Sequence, residues 1–263
     1  MVTRGQMPGY RKLARIAVGG QATVHRGVNV DTEEEVALKY LKLRGKTKPD
    51  PAQARNMKAR FVREVKEQRR LDHPNIMPVL DYSETHSPWY AMPMAQASLQ
   101  DFLDAEKRDV GWCLDVLSKV IDGMEYAHKQ GVIHRDLKPN NILLVDGKWV
   151  VSDFGFCLNI NSESLRITEA ENLVGTYVYA APEQYDDAHL VGPTADVYSI
   201  GKMLIHCLAW NMPPPGGNRL SEIPLVFKSV VIRCVAEDPS DRFQSLSDLR
   251  DALRDAFENF KEG

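Results

Sequence analysis

The sequence predicts an α+β fold in which a smaller strand-rich part is followed by a larger helical part. Three observations carry that expectation. From about Tyr10 to Met92 the pattern is mostly short β-branched runs separated by Gly or polar turns, with one helix. From Ser98 onward, Leu, Val, Ile and Met recur at helical spacing. The chain has 263 residues, 43% hydrophobic and 26% charged, which is ordinary globular composition and enough length for one large domain or two joined lobes. Strands first and helices later is an α+β order, with a cleft expected between the lobes.

Taken in order, residues 10–18, 23–30 and 35–43 read as strands, divided by Gly19-Gly20 and by the polar turn Asp31-Thr32-Glu33. A charged helix is expected at about 53–71, where Phe61, Val65 and Leu71 give an incomplete apolar stripe. Two more strand-like runs lie at about 77–82 and 88–92. Helices are predicted over 98–106 and about 111–130, then over about 194–210, 221–236 and 245–258. A polar loop and a short hairpin (142–145, 148–151) interrupt them. No internal repeat or low-complexity tract is present.

Bulk properties narrow the function classes. Thirty-three Lys and Arg against 36 Asp and Glu leave a formal charge of −3, so no global basic field draws the chain to nucleic acid or anionic lipid. One local shift, Lys42 to Arg63, holds eight basic residues; such runs are ordinarily solvated faces, with an acidic docking partner as the alternative. Cys113, Cys157, Cys207 and Cys234 are scattered without metal-ligand spacing, which suits reduced thiols in a cytoplasmic location. Met1 to Pro8 has no apolar stretch after Arg4, so no signal peptide is expected, and no run of about 18 apolar residues suggests a membrane span.

The chemistry is concentrated in two strings. His134-Arg135-Asp136-Leu137-Lys138-Pro139-Asn140-Asn141 places a carboxylate, an ammonium and an amide on one tight loop. Twelve residues beyond Asn141, across the hairpin, Asp153-Phe154-Gly155 adds a second carboxylate. Phosphoryl transfer asks for these parts: a group to align the attacking hydroxyl, oxygen ligands for Mg²⁺, and positive charge for the migrating group. With these strings the chain resembles the eukaryotic-type (Hanks-type) serine/threonine protein kinases, with a bacterial character in Ala181-Pro182-Glu183-Gln184. The resemblance covers about residues 10–258. It implies a bilobal protein-kinase-like fold, one kinase domain over 1–263, with a β-rich N-lobe (10–94) carrying one regulatory helix and a helical C-lobe (95–263).

What the resemblance implies for each residue follows from the matching positions. Asp136 resembles the catalytic base, Lys138 the cation that neutralises the transferred group, and Asn141 and Asp153 the magnesium ligands. Lys39, in Val36-Ala37-Leu38-Lys39, matches the lysine on the α- and β-phosphates of ATP. Glu64, nine positions before His73-Pro74-Asn75-Ile76, matches its ion-pair partner on a helix that swings. The phosphate loop is a poorer match: Ala17-Val18-Gly19-Gly20-Gln21-Ala22-Thr23-Val24 has alanine where two glycines are usual, and Gly19 keeps the middle position. Because backbone N–H groups cradle phosphate, a loop that still works is expected. Met92, the Pro93 carbonyl and the Ala95 N–H would meet the adenine, with Val24, Ala37 and Leu143 around it. Thr176 resembles the hydroxyl that bridges the catalytic Asp and Lys. Asp196 resembles a helix carboxylate holding the catalytic loop, and Glu183 and Arg242 a buried ion pair.

The expected function is therefore ATP- and Mg²⁺-dependent transfer of the γ-phosphoryl group to Ser/Thr hydroxyls of protein substrates, including autophosphorylation through self-association. Thr168 is the expected activating site, with Arg135 as its cation; Glu169 or Glu171 satisfying Arg135 is the competing idea. Two departures stand out. Only 46 positions separate Asp196 from Arg242, so the intervening helix is expected to be reduced or missing. Gln68 puts a polar group where the family has an apolar one. The altered loop and Gln68 keep a nucleotide-binding pseudokinase as the alternative.

Overall fold

A computed structural model describes residues 9–18, 22–42, 50–85, 87–155, 178–186, 191–214 and 217–262, with the backbone of 158–159. The chain divides into two compact units. One comprises residues 1–72 and 77–96, the other residues 73–76 and 97–263.

The first unit is an antiparallel sheet with one helix. Strands β1 (Tyr10–Val18), β2 (Ala22–Asn29) and β3 (Glu35–Leu41) run consecutively, helix α1 (Pro51–Arg69) follows, and β4 (Asp81–Ser83) and β5 (Trp89–Pro93) complete the order β1-β2-β3-β5-β4. The register sets Val24 opposite Lys39 and Ala37 opposite Met92. Val36, Leu38, Trp89 and Ala91 form a buried cluster with Tyr10 and Tyr40 packed on it. Gly27 admits Leu38 so closely that a Cβ there would lie 2.4 Å from its Cδ1. Asp50 caps α1 in a capping box with Gln53, and Pro51 occupies the first turn, where its missing N–H is harmless. Strand was expected over about 77–82; only Asp81–Ser83 pairs, with Trp89, Tyr90 and Ala91 of β5.

The second unit is mainly helical. A short strand β6 (Ala97–Ser98) leads into α2 (Leu99–Leu103) and α3 (Val110–Lys129); β7 (Val132–Ile133), the hairpin β8 (Ile142–Val145) and β9 (Lys148–Val151), and β10 (Leu158–Asn159) carry the loops. Helices α4 (Glu183–Asp186), α5 (Thr194–Ala209), α6 (Lys228–Cys234) and α7 (Leu246–Glu262) complete it. Helix α5 is buried along nearly its whole length, and Gly201 lets α6 approach: a Cβ there would sit 2.4 Å from that of Cys234. The window 221–236 yields helix only over Lys228–Cys234, because Pro224 cannot donate inside a helix and short 3-10 turns precede it. Between α5 and α6 the described residues hold only these turns, in line with the short Asp196–Arg242 interval. Residues 73–76 join this unit because Asn75 accepts from the Val151 N–H at 2.8 Å and donates to the Trp149 carbonyl at 2.9 Å.

Candidate active site

In the first unit, β3 presents Lys39 and α1 presents Glu64. Their side chains meet at 2.6 Å, both buried, and the Tyr90 hydroxyl donates to the same Glu64 oxygen at 3.1 Å. Tyr90 was not singled out from sequence; its place on β5 opposite Lys39 is a register fact. Gln68, one helical turn beyond Glu64, is fully buried, and its amide donates to the Met77 carbonyl at 2.8 Å. The sheet also carries Val24, Ala37, Met92 and Pro93, and Ala95 follows β5. Gly19 lies outside the described residues, as do Thr176, Thr168, Glu169 and Glu171.

In the second unit the catalytic candidates converge on one carboxylate. Asp136 is buried; Lys138 Nζ lies 3.0 and 2.8 Å from its two oxygens, and Asn141 Nδ2 lies 2.8 Å from its backbone carbonyl and 3.2 Å from Oδ2. The 3-10 turn Pro139–Asn141 brings Asn141 back over the loop. Leu143 follows on β8, paired with Val150 and Ser98. Asp153 sits two residues past β9, where the Ser152 N–H donates to the Asn141 carbonyl at 2.8 Å. Burial pushes the Asp136 carboxyl above its usual range; Lys138 opposes that rise, and the charge of Asp153 adds to it.

The loop is held from below by α5. Asp196, fully buried, accepts the N–H groups of His134 and Arg135 at 2.9 and 2.8 Å, and His128 Nε2 lies 2.8 Å from Oδ2. Burial would raise this carboxyl, but the His128 hydrogen bond first, with the Arg135 N–H, holds it below its usual value. His134 Nδ1 accepts the Asp136 N–H at 3.2 Å, so Nε2 is the atom that donates to the Ser152 carbonyl at 3.0 Å. Arg135 and Asp153 both adopt left-handed backbone, at φ +69° and +65°. Such conformations in non-glycine residues cluster where function requires them. Glu183 and Arg242 form a two-pronged pair at 2.7 and 2.8 Å, with the guanidinium fully buried.

Sequence reading missed three members of this arrangement: His128, His134 and Gln184, whose Nε2 donates to the Arg135 carbonyl at 2.8 Å. The two histidines lie in a helix and in the loop motif itself, yet their roles depend on neighbours 68 and 18 positions away.

Comparison with known proteins gives the same outline. The family described as "Protein kinase domain" matches residues 10–257. The chain is 26% identical to the serine/threonine-protein kinase PrkC of Bacillus subtilis, over 95% of this chain and 40% of PrkC. It is 30% identical to the serine/threonine-protein kinase PknD of Chlamydia pneumoniae, over 94% of this chain and 31% of PknD. The chain thus spans well under half the length of these relatives. Among solved structures, the kinase domain of PknI from M. tuberculosis superposes with a TM-score of 0.73 at 25% identity, covering 95% of this chain and 96% of that one.

Proposed function

The chain belongs to the protein kinase domain family, and from that premise we propose that it transfers the γ-phosphoryl group of ATP to serine and threonine hydroxyls of protein substrates, with Mg²⁺ as the cation. The observation that carries this reading is the convergence of Lys138 and Asn141 on the buried Asp136 carboxylate. Asp136 orients the substrate hydroxyl and takes its proton as the new P–O bond forms. Lys138, already within reach of that carboxylate, turns its charge to the migrating phosphoryl group. Lys39, aimed by Glu64, holds the α- and β-phosphates, and the Met92–Ala95 stretch receives the adenine.

The donor set suits magnesium. Asn141 directs its Nδ2 at Asp136, so its Oδ1 would be the atom offered to a cation, and Asp153 would supply a carboxylate. Among the described residues no group of three or more His, Cys, Asp or Glu is arranged to hold a metal ion by itself. Mg²⁺ would therefore rest on one amide oxygen, one carboxylate, phosphate oxygens and water, the mixture this hard ion prefers. When bound, it neutralises phosphate charge and fixes the geometry of the terminal phosphate.

No helix among the described residues is long and apolar enough to cross a membrane. A cytoplasmic site of action belongs to the same proposal, supported by the free thiols of Cys113, Cys207 and Cys234. Protein substrates, and a second copy of the chain in autophosphorylation, are the proposed partners.

Incubation with terminally labelled ATP, Mg²⁺ and a mixed Ser/Thr peptide library tests the reading. Label is expected on serine or threonine, and Asp136→Asn is expected to lower the rate by about 10²- to 10⁴-fold. Nucleotide retention without any transfer by the unaltered protein would instead support a binding scaffold.

A further inference from the structure

We infer that Gln184 is a positioning residue for the base Asp136, acting by clamping the peptide group that joins Arg135 to Asp136. The inference rests on the phosphotransfer reading of that site. The Gln184 side-chain amide makes two bonds with opposite roles. Its Nε2 donates to the Arg135 carbonyl at 2.8 Å, 49 positions away, and its Oε1 accepts the Ala181 N–H at 3.1 Å.

The Arg135–Asp136 peptide group needs a clamp. Arg135 is at φ +69°, a backbone state that a residue with a Cβ adopts at a cost. The N–H on the Asp136 side is held by His134 Nδ1 at 3.2 Å. The carbonyl on the Arg135 side is held by Gln184. Both polar atoms of one peptide plane are thus tied, and the Asp136 side chain departs from the next Cα. Rotation of that plane would displace the carboxylate that must meet the substrate hydroxyl.

Gln184 is itself held firmly enough to serve. It occupies α4 beside Glu183, whose carboxylate is gripped by Arg242 at 2.7 and 2.8 Å. The Gln184 backbone N–H returns to the Ala181 carbonyl at 3.0 Å, closing a tight turn. A connected path therefore runs from the buried Arg242 through Glu183 and Gln184 to the backbone of the base. Only a side chain with a donor and an acceptor at this length fits. A carboxylate keeps the bond from Ala181 but sets oxygen against the Arg135 carbonyl; methionine loses both bonds at nearly the same size.

The experiment compares Gln184→Glu and Gln184→Met with the unaltered protein. Transfer kinetics are measured against pH, together with melting temperature and amide hydrogen exchange of the segment 132–142, with 196–208 as control. For Gln184→Glu, kcat is expected to fall about 10- to 100-fold with KM for ATP within about twofold, the effect of a base displaced by a fraction of an ångström to an ångström. The deficit should narrow toward about pH 5, because the protonated carboxyl regains an O–H donor for the Arg135 carbonyl. The deficit of Gln184→Met should not change with pH. Exchange over 132–142 should quicken in both variants while 196–208 is unchanged. Unaltered kcat with unaltered exchange over 132–142 overturns the inference, as does a loss of activity that follows the melting temperature alone. Should the unaltered protein transfer no phosphate, the functional reading falls, and the exchange measurement decides the role of Gln184 by itself.

Discussion

At the scale of single residues, Asp136 carries the most weight. Its carboxyl is raised above the ordinary Asp value of 3.8 by burial, against the pull of Lys138. A raised folded value means that folding favours the protonated form, so this group adds stability as pH falls through its folded value. Activity runs the other way, because a base must be ionised. The acid limb of kcat/KM is therefore expected above the range of an exposed carboxylate. Lys138→Met should move it higher still while lowering kcat, as a pH–rate profile of both proteins would reveal. A limb that Lys138→Met leaves in place would assign it to another group. The loop string made Asp136, Lys138 and Asn141 legible together, because two and five positions in a tight turn cannot be far apart. The left-handed backbone of Arg135 and Asp153 was not legible: arginine and aspartate are not turn-specifying glycines, and the strain is imposed by what surrounds them.

At the scale of elements, α1 shows why its sequence pattern looked incomplete. Its buried residues are Phe61, Glu64, Val65 and Gln68, a spacing of i, i+3, i+4, i+7. The helical period is intact, but two of the four positions are polar and escape an apolar count. Glu64 is buried because Lys39 and Tyr90 satisfy it, and Gln68 because the Met77 carbonyl accepts its amide proton. Glu64→Ala would leave the Lys39 ammonium buried without that carboxylate, at about 3–5 kcal/mol. A lower melting temperature and a raised KM for ATP are expected, measured by calorimetry and initial rates; an unchanged KM would separate the pair from nucleotide binding. Helix α5 offers a pH test. Burial pushes the Lys202 ammonium down to about 8, while it donates to the Gly217 carbonyl at 2.6 Å and Asn218 Oδ1 at 3.0 Å. Between that value and the ordinary 10.5 the unfolded chain holds a proton that the folded chain has lost, so this group adds stability as pH rises over about 8 to 10. The buried thiols of Cys207 and Cys234, held protonated in the fold, act in the opposite direction over this range. The measure is therefore the difference in stability between the native protein and Lys202→Met, which urea titrations should show growing in favour of the native protein as pH rises.

At the scale of the whole molecule, the formal charge of −3 conceals two unlike halves. The strand-rich unit carries 17 Lys and Arg against 10 Asp and Glu; the helical unit carries 16 against 26. Near-neutrality is a property of the sum and not of either unit. The helical unit also holds Cys113, Cys207 and Cys234, all buried, with Cys113 Sγ donating to the Cys207 carbonyl at 3.3 Å. Burial pushes the Cys234 thiol up, and the Cys113 contact followed by burial does so for Cys207, which suppresses the reactive thiolate. Labelling by an aromatic disulfide reagent should therefore modify these three thiols only as the helical unit opens, in step with denaturant. Prompt modification in native buffer, located by peptide mapping, would contradict the packing.

The sequence by itself determined the order of strands and helices, the loop carrying Asp136, Lys138 and Asn141, and the family resemblance, because each rests on spacings of a few residues. Tertiary structure alone decided that Tyr90 shares Glu64 with Lys39, that His128 and two backbone N–H groups meet on Asp196, and that Gln184 reaches the carbonyl of Arg135. Those contacts join residues 26 to 68 positions apart. Partners so distant are chosen by which surfaces pack together, a choice that no local periodicity encodes.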